Sequence, residues 1–290
     1  MRTTAVALAA LLTIGAAPPS ASDIERDAPA SAWRAIAPEN LLLVETAKGN
    51  VAIELAPDFA PVHIAAIRAF ARAKAFDGGA IIRVQDNYVV QFAVKGSGEI
   101  LSTSAARAGA KVLPAEYERD ARGREFSPLG YPDSYAKAGF SGGWPAAAGD
   151  GKQWLVHCYG MVGVGRNLAP DTGDGSELYA VIGHAPRHLD RNIALVGRVV
   201  EGFSNWTALP RGTEALGVYK TEAEHVPVTR VVVAADLPAA ERPRFEVMQT
   251  ASASFRNYVE ARANRREAFF NRPAGGVDVC NVRVPVRRVP

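Results

Sequence analysis

The stretch FDGGAIIRVQDNYVVQ, residues Phe76–Gln91, decides how this chain is read. A turn at Asp77-Gly78-Gly79 opens onto a run of β-branched and apolar residues that holds a single cation, Arg83. A guanidinium keeps its charge in any protein setting and is costly to bury without a partner or a task. The segment is therefore expected to be a half-buried strand that presents one cation to an apolar groove. Taken alone, Arg83 also fits a surface cation on a solvated strand.

Upstream, residues 41–55 (LLLVETAKGNVAIEL) have the form of a β-hairpin around Lys48-Gly49-Asn50. Residues 61–75 predict a helix, with Pro61 near its start and Ile64, Ile67, Phe70 and Ala71 on one face. Downstream, residues 99–153 are rich in Gly, Pro, Ala and charge, and their periodicity is weak. They predict an irregular insertion with one short helix. Strands are expected over 154–164, 177–183, 193–200 and 226–235, with a short helix starting near 203. Residues 244–270 read as mostly helical, with Phe255, Tyr258 and Val259 near one face, and 277–286 as a last short strand. Many strands, two or three helices and no regular βαβ alternation predict a mainly β fold, a barrel or sandwich with helices packed outside it.

With 290 residues, of which 48% are hydrophobic and 22% charged, the chain has the composition of a folded globular protein. The formal net charge is +3 and no long basic run precedes the C-terminal quarter, so no nucleic-acid partner is expected. Arg2, an apolar run over 5–17 and the small residues Ser20-Ala21-Ser22 predict a secretory signal over 1–22, too short for a comfortable membrane span. An uncleaved anchor is the alternative. The mature protein is expected to be soluble, exported to the periplasm, monomeric and without a membrane span. The two cysteines, Cys158 and Cys280, are either a disulfide or two buried thiols. No CxxC, HExxH or Cys/His cluster occurs, so neither a metal nor a cofactor is expected. Gly139-Phe140-Ser141-Gly142-Gly143 matches Gly-x-Ser-x-Gly but has no predicted strand before it, and reads as a flexible loop rather than a nucleophile elbow. His157, in an apolar strand, reads as a satisfied core histidine.

Five blocks, in order, resemble the cyclophilin-type peptidyl-prolyl cis-trans isomerases. They are TAKGNVAIEL at 46–55, Ala60-Pro61-Val62 with the helix after it, residues 76–91, GMVGVGRNLAPDTGDGSELY at 160–179, and Leu189-Asp190 followed by VGRVVEG at 196–202. The resemblance covers about 41–235. It leaves a lead-in at 23–40, an insertion at about 117–153 and a C-terminal helical extension at 236–290 outside the common core. It implies a closed eight-stranded β-barrel capped by two helices, with an active groove on its outer face. By position, Arg83 falls on the catalytic arginine and Gln91 on its polar partner. Tyr88 and Val89 fall on the apolar pair that receives proline, and Tyr179 on an aromatic of that pocket. Gly165 and Arg166 fall on the wall facing the residue before proline, and His188 and Leu189 on the groove edge. The implied partner is a proline-containing polypeptide, exported with the enzyme. Ile81, Ile82 and Phe92 depart from the family pattern, as do Glu177-Leu178-Tyr179 in place of Gln-Phe-Phe. These departures motivate an alternative, a catalytically weak module that binds proline-containing segments.

Overall fold

The computed structural model describes residues 18–96 and 112–290. The expected signal lies mostly outside them. The described residues open with α1 (Ala21–Asp27), whose N-cap Ser20 forms a reciprocal capping box with Asp23, and β1 (Trp33–Ala35). The lead-in outside the common core is thus ordered, because Ala21, Ile24, Ala32 and Trp33 join an apolar cluster with the C-terminal tail.

Next come the expected hairpin, β2 (Leu41–Thr46) and β3 (Gly49–Leu55), then α2 (Pro61–Arg72), β4 (Ala80–Val84) and β5 (Val89–Ala93). The insertion holds β6 (Arg119–Asp120), β7 (Ser127–Pro128), β8 (Lys137–Ser141), β9 (Trp144–Gly149) and β10 (Lys152–Leu155). After it follow β11 (Met161–Val164), β12 (Glu177–Val181), β13 (Leu195–Glu201), the short α3 (Ser204–Thr207) and β14 (Val226–Val233). The tail carries β15 (Arg244–Met248), α4 (Ala253–Ala263) and β16 (Val286–Val289).

Eight strands close an antiparallel barrel in the order β11-β12-β5-β4-β14-β2-β3-β13. Strand alternation fills its interior with Leu42, Val44, Val51, Ile53, Val90, Phe92, Leu178, Ala180 and Val196. Ile64 and Ile67 of α2 and Trp206 of α3 pack onto the same core. Phe92 lies between Phe76 and Trp206, with ring centroids 5.8 and 5.3 Å away. Ile81 is also fully buried in this core. Ile81 and Phe92, two of the departures from the family pattern, therefore fill the barrel.

The insertion, expected to be irregular, is a five-stranded sheet in the order β6-β10-β9-β8-β7. Its strands are short, and the central β9 (WPAAAG) is alanine-rich, a composition with little intrinsic strand preference, so packing holds it instead. Ala146 and Ala147 are fully buried, and Phe140 meets Phe255 of α4 edge-on at 4.8 Å. Gly142 and Gly143, with φ of +59° and +89°, turn β8 back into β9. The Gly-x-Ser-x-Gly match is thus a hairpin turn, with strand on both sides. The tail, expected to be helical, is helical over α4 and extended on either side, where β15 pairs with β1 and β16.

One apolar cluster joins tail and insertion to the outer barrel face through Leu41, Ala52, Met161 and Leu195. A disulfide, Cys158–Cys280, pins the tail to the segment before β11 across 122 residues. A crosslink closing so long a loop removes much denatured-state freedom. Replacing both cysteines with serine is expected to lower the unfolding free energy by about 3–5 kcal/mol. Urea unfolding under non-reducing conditions checks this.

Candidate active site

Val90, Phe92, Leu178, Ala180, Val162 and Val164 face the barrel interior. Alternation therefore turns Val89, Gln91, Glu177, Tyr179, Val181, Gly163 and Gly165 outward. Register sets Gln91 opposite Tyr179, Val89 opposite Val181 and Gly163 opposite Tyr179. These residues form one outer patch on β5, β12 and β11.

Arg83 reaches the patch through a bulge. Ile81 opposes Phe92 and Arg83 opposes Gln91, so the register slips at Ile82. Strict alternation would send Arg83 inward with Ile81; the extra residue re-aims it to the outer face and leaves Val84 buried. There Arg83 Nε donates to the Leu216 carbonyl at 2.6 Å and Nη1 to Gln91 Oε1 at 3.0 Å. Nη2 donates to Gln85 Oε1. Of the five donors on a guanidinium, one on each terminal nitrogen thus remains without a partner among the described residues. The cation lies 5.5 Å from the centre of the Tyr88 ring. Burial lowers its pKa from the ordinary arginine value, partly offset by Tyr88 and Glu177. Arginine stays charged through such a shift.

Beside the cation, Val89, Tyr179 and Val181 form a small apolar cluster against which Tyr88 and Ile193 pack. Burial raises the phenol pKa of Tyr88, and that of Tyr179 well above its ordinary value, so both are neutral at physiological pH. Gln91 Nε2 donates to Glu177 Oε1. A Cβ on Gly165 would lie 3.0 Å from Glu177 and 3.2 Å from Gln91 Nε2, so this glycine makes room for that pair.

The structure thus brings Arg83, Tyr88, Val89, Gln91, Gly165 and Tyr179 together. Arg166 is half-buried and follows Gly165, donating to the carbonyls of Asn192 at 3.0 Å and Asn167 at 2.6 Å. His188 is exposed and Leu189 half-buried on the turn Arg187–Leu189, and neither joins the apolar cluster. Five contributors lay outside the sequence-predicted set: Glu177, Val181, Ile193, Gln85 and the Leu216 carbonyl. Glu177 had a sequence signal, since it stands at a departure from the family pattern.

His157 is fully buried, as expected of a core histidine, and its partners lead to the patch. Asp190 Oδ1 lies 2.9 Å from Nδ1 and 3.0 Å from the His157 amide, so both donate to it. The proton therefore sits on Nδ1, and Nε2 accepts from the Tyr179 hydroxyl at 2.9 Å. Burial lowers the His157 pKa against the pull of Asp190, with His188 and Arg187 adding to the lowering. An unfolded histidine titrates near pH 6.5. A folded value below that means the unfolded chain binds more protons between the two values. The contribution is complete above about pH 6.5 and is lost as pH falls from there. The stability gap between wild type and His157→Leu should accordingly narrow on acidification, checked by urea unfolding at several pH values.

Among the described residues, no group of three or more His, Cys, Asp or Glu side chains is placed to hold a metal ion. No helix among them is long and apolar enough to cross a membrane.

Comparison with known proteins gives concordant matches. The family model for cyclophilin type peptidyl-prolyl cis-trans isomerase/CLD matches residues 41–234. Probable peptidyl-prolyl cis-trans isomerases of Brucella suis and Brucella abortus are each 29% identical over 179 residues, 61% of this chain and 75% of theirs. The crystal structure of cyclophilin AquaCyp293 from Hirschia baltica aligns with a TM-score of 0.66 at 25% identity, covering 88% of this chain and 93% of that one.

Proposed function

The chain belongs to the cyclophilin-type peptidyl-prolyl cis-trans isomerase family, and from that membership we propose that it isomerises X-Pro bonds with Arg83 as donor to the prolyl nitrogen. An X-Pro amide is held planar by resonance, behind a barrier of roughly 20 kcal/mol. In the twisted transition state the nitrogen becomes pyramidal and basic. A fixed donor at that nitrogen favours the twisted form over both planar forms, which lowers the barrier without a covalent step.

The observation that carries this reading is the tethering of Arg83 on three sides with a donor left on each terminal nitrogen. Gln91 and Gln85 fix the guanidinium plane, so little reorganisation is needed when the nitrogen pyramidalises. Val89, Tyr179 and the ring of Tyr88 form the apolar seat for the proline ring, backed by the fully buried Val181. Gly165 and Arg166 border the residue before proline. The clients proposed are exported proteins: a signal-like N-terminus is joined here by a disulfide, which persists in oxidising compartments.

The test is cis–trans exchange of a proline tetrapeptide, followed by NMR with and without the purified chain. Faster exchange supports the proposal. Peptide binding without faster exchange would favour the weak binding module.

A further inference from the structure

We propose that His157 and Asp190 are positioning residues for the groove: they tether the Tyr179 hydroxyl behind the apolar patch, so that the tyrosine offers proline only its ring. This rests on the pocket role given to Tyr179 above.

A tyrosine in an apolar seat has a polar tip that must find a partner away from the ligand. Tyr179 is 4% exposed, and among the described residues its hydroxyl bonds only His157. The two ring planes are nearly parallel, 11° apart with centroids separated by 6.3 Å, and the bond at the hydroxyl restricts the tilt of the tyrosine. Space for this pose comes from Gly163, where a Cβ would fall 2.3 Å from the hydroxyl oxygen and 2.4 Å from Cζ. Val89 and Val181, its neighbours in the cluster, offer no polar side-chain atom.

The acceptor state of Nε2 is itself set further back. Asp190 holds the proton on Nδ1, and Asp190 Oδ2 accepts from Arg187 Nε at 2.6 Å. Arg187 makes a two-bond fork to Asp133 of the insertion, at 2.9 and 3.1 Å. The insertion thus reaches the groove through Asp133, Arg187, Asp190 and His157. Burial keeps His157 neutral, which suits it to accept from Tyr179.

If the tether acts through the hydroxyl, its loss must depend on that hydroxyl being present. The experiment measures kcat and KM for a proline tetrapeptide with the full chain carrying His157→Leu, Gly163→Ala or neither, each with Tyr179 intact and with Tyr179→Phe. His157→Leu should raise KM about tenfold with kcat changed less than about twofold, the cost of freeing one buried hydroxyl. In the Tyr179→Phe background the His157→Leu penalty should vanish, whatever rate Tyr179→Phe itself shows. Gly163→Ala should raise KM with Tyr179 intact. An equal His157→Leu penalty in both backgrounds, or an unchanged KM, would overturn the proposal. Where His157→Leu does not fold, His157→Phe, which keeps a flat ring and likewise lacks an acceptor, carries the same comparison. NMR of the wild-type chain gives a second readout: a proton on Nδ1 and a bare Nε2 support the tether, and a proton on Nε2 contradicts it. A wild-type chain that binds the peptide without turning it over contradicts the isomerase function instead, and the dissociation constant then replaces KM in the same comparison.

Discussion

Replacing Glu54 with alanine is expected to lower the unfolding free energy by about 3–5 kcal/mol, the cost of stranding a buried cation. Glu54 is 2% exposed and lies directly opposite Arg198 across β3 and β13. Its Oε2 accepts from Arg198 Nε at 3.0 Å and Nη2 at 2.6 Å, while Oε1 meets Arg34 at 2.7 Å. Arg198 also donates to the Gly143 carbonyl at 2.7 Å and lies 4.5 Å from the Trp144 ring centre. One carboxylate therefore holds the barrel, the lead-in strand β1 and the insertion hairpin together. Burial pulls the Arg198 pKa down and Glu54 pulls it back up. Arginine does not shed its proton to escape, so alanine at 54 leaves a dry charge. Replacing both partners, Glu54→Leu with Arg198→Met, should recover most of the loss, because a well-packed apolar pair removes the desolvation cost along with the attraction. Urea midpoints for the single and double variants decide this. A Glu54→Ala variant within about 1 kcal/mol of wild type, the range of an exposed pair, would show that water reaches Arg198.

Locally encoded parts of the fold were legible in the sequence. The hairpin around Gly49 and strands β12 and β14 each declare themselves through β-branched runs and turn chemistry. Parts held by distant partners were not. Helix α2 begins without a side-chain cap of its own, and its Val62 and His63 amides donate to Glu116, both at 2.9 Å. The central insertion strands β8 and β9 carry alanine and glycine where strand formers would be expected, and the contacts of Phe140, Trp144, Trp154 and Leu155 in the shared core place the sheet. Residues 244–248 read as helix because their pairing partners, β1 and β16, lie far away in sequence.

The site divides the same way. Val89, Gln91 and Tyr179 were readable through the family resemblance, by position, and Arg83 also because one cation stands out in an apolar run. The bulge that turns Arg83 outward has no sequence signature, yet it explains how Ile81 and Val84, three residues apart, can both fill the barrel. His157 was read as a core histidine, and what could not be read was its pairing with Tyr179 and Asp190, 22 and 33 residues away.

Arg83→Ala should lower kcat/KM for a proline tetrapeptide about 10²–10³-fold, the range for removing one preorganised donor from a developing charge. The peptide dissociation constant should change far less, because the apolar seat of Val89 and Tyr179, backed by Val181, stays in place. Arg83→Lys should recover little. A lysine ammonium cannot bond the Leu216 carbonyl, Gln91 and Gln85 in the planar arrangement seen here and still donate to the nitrogen. Loss of stability is a poor rival explanation, since Arg83 is only half-buried and makes no ion pair among the described residues. The most direct test is therefore NMR exchange on one proline tetrapeptide with wild type and Arg83→Ala side by side, at matched peptide occupancy. The account predicts fast cis–trans exchange with wild type and near-uncatalysed exchange with the variant. Wild-type exchange rates retained in Arg83→Ala would contradict it.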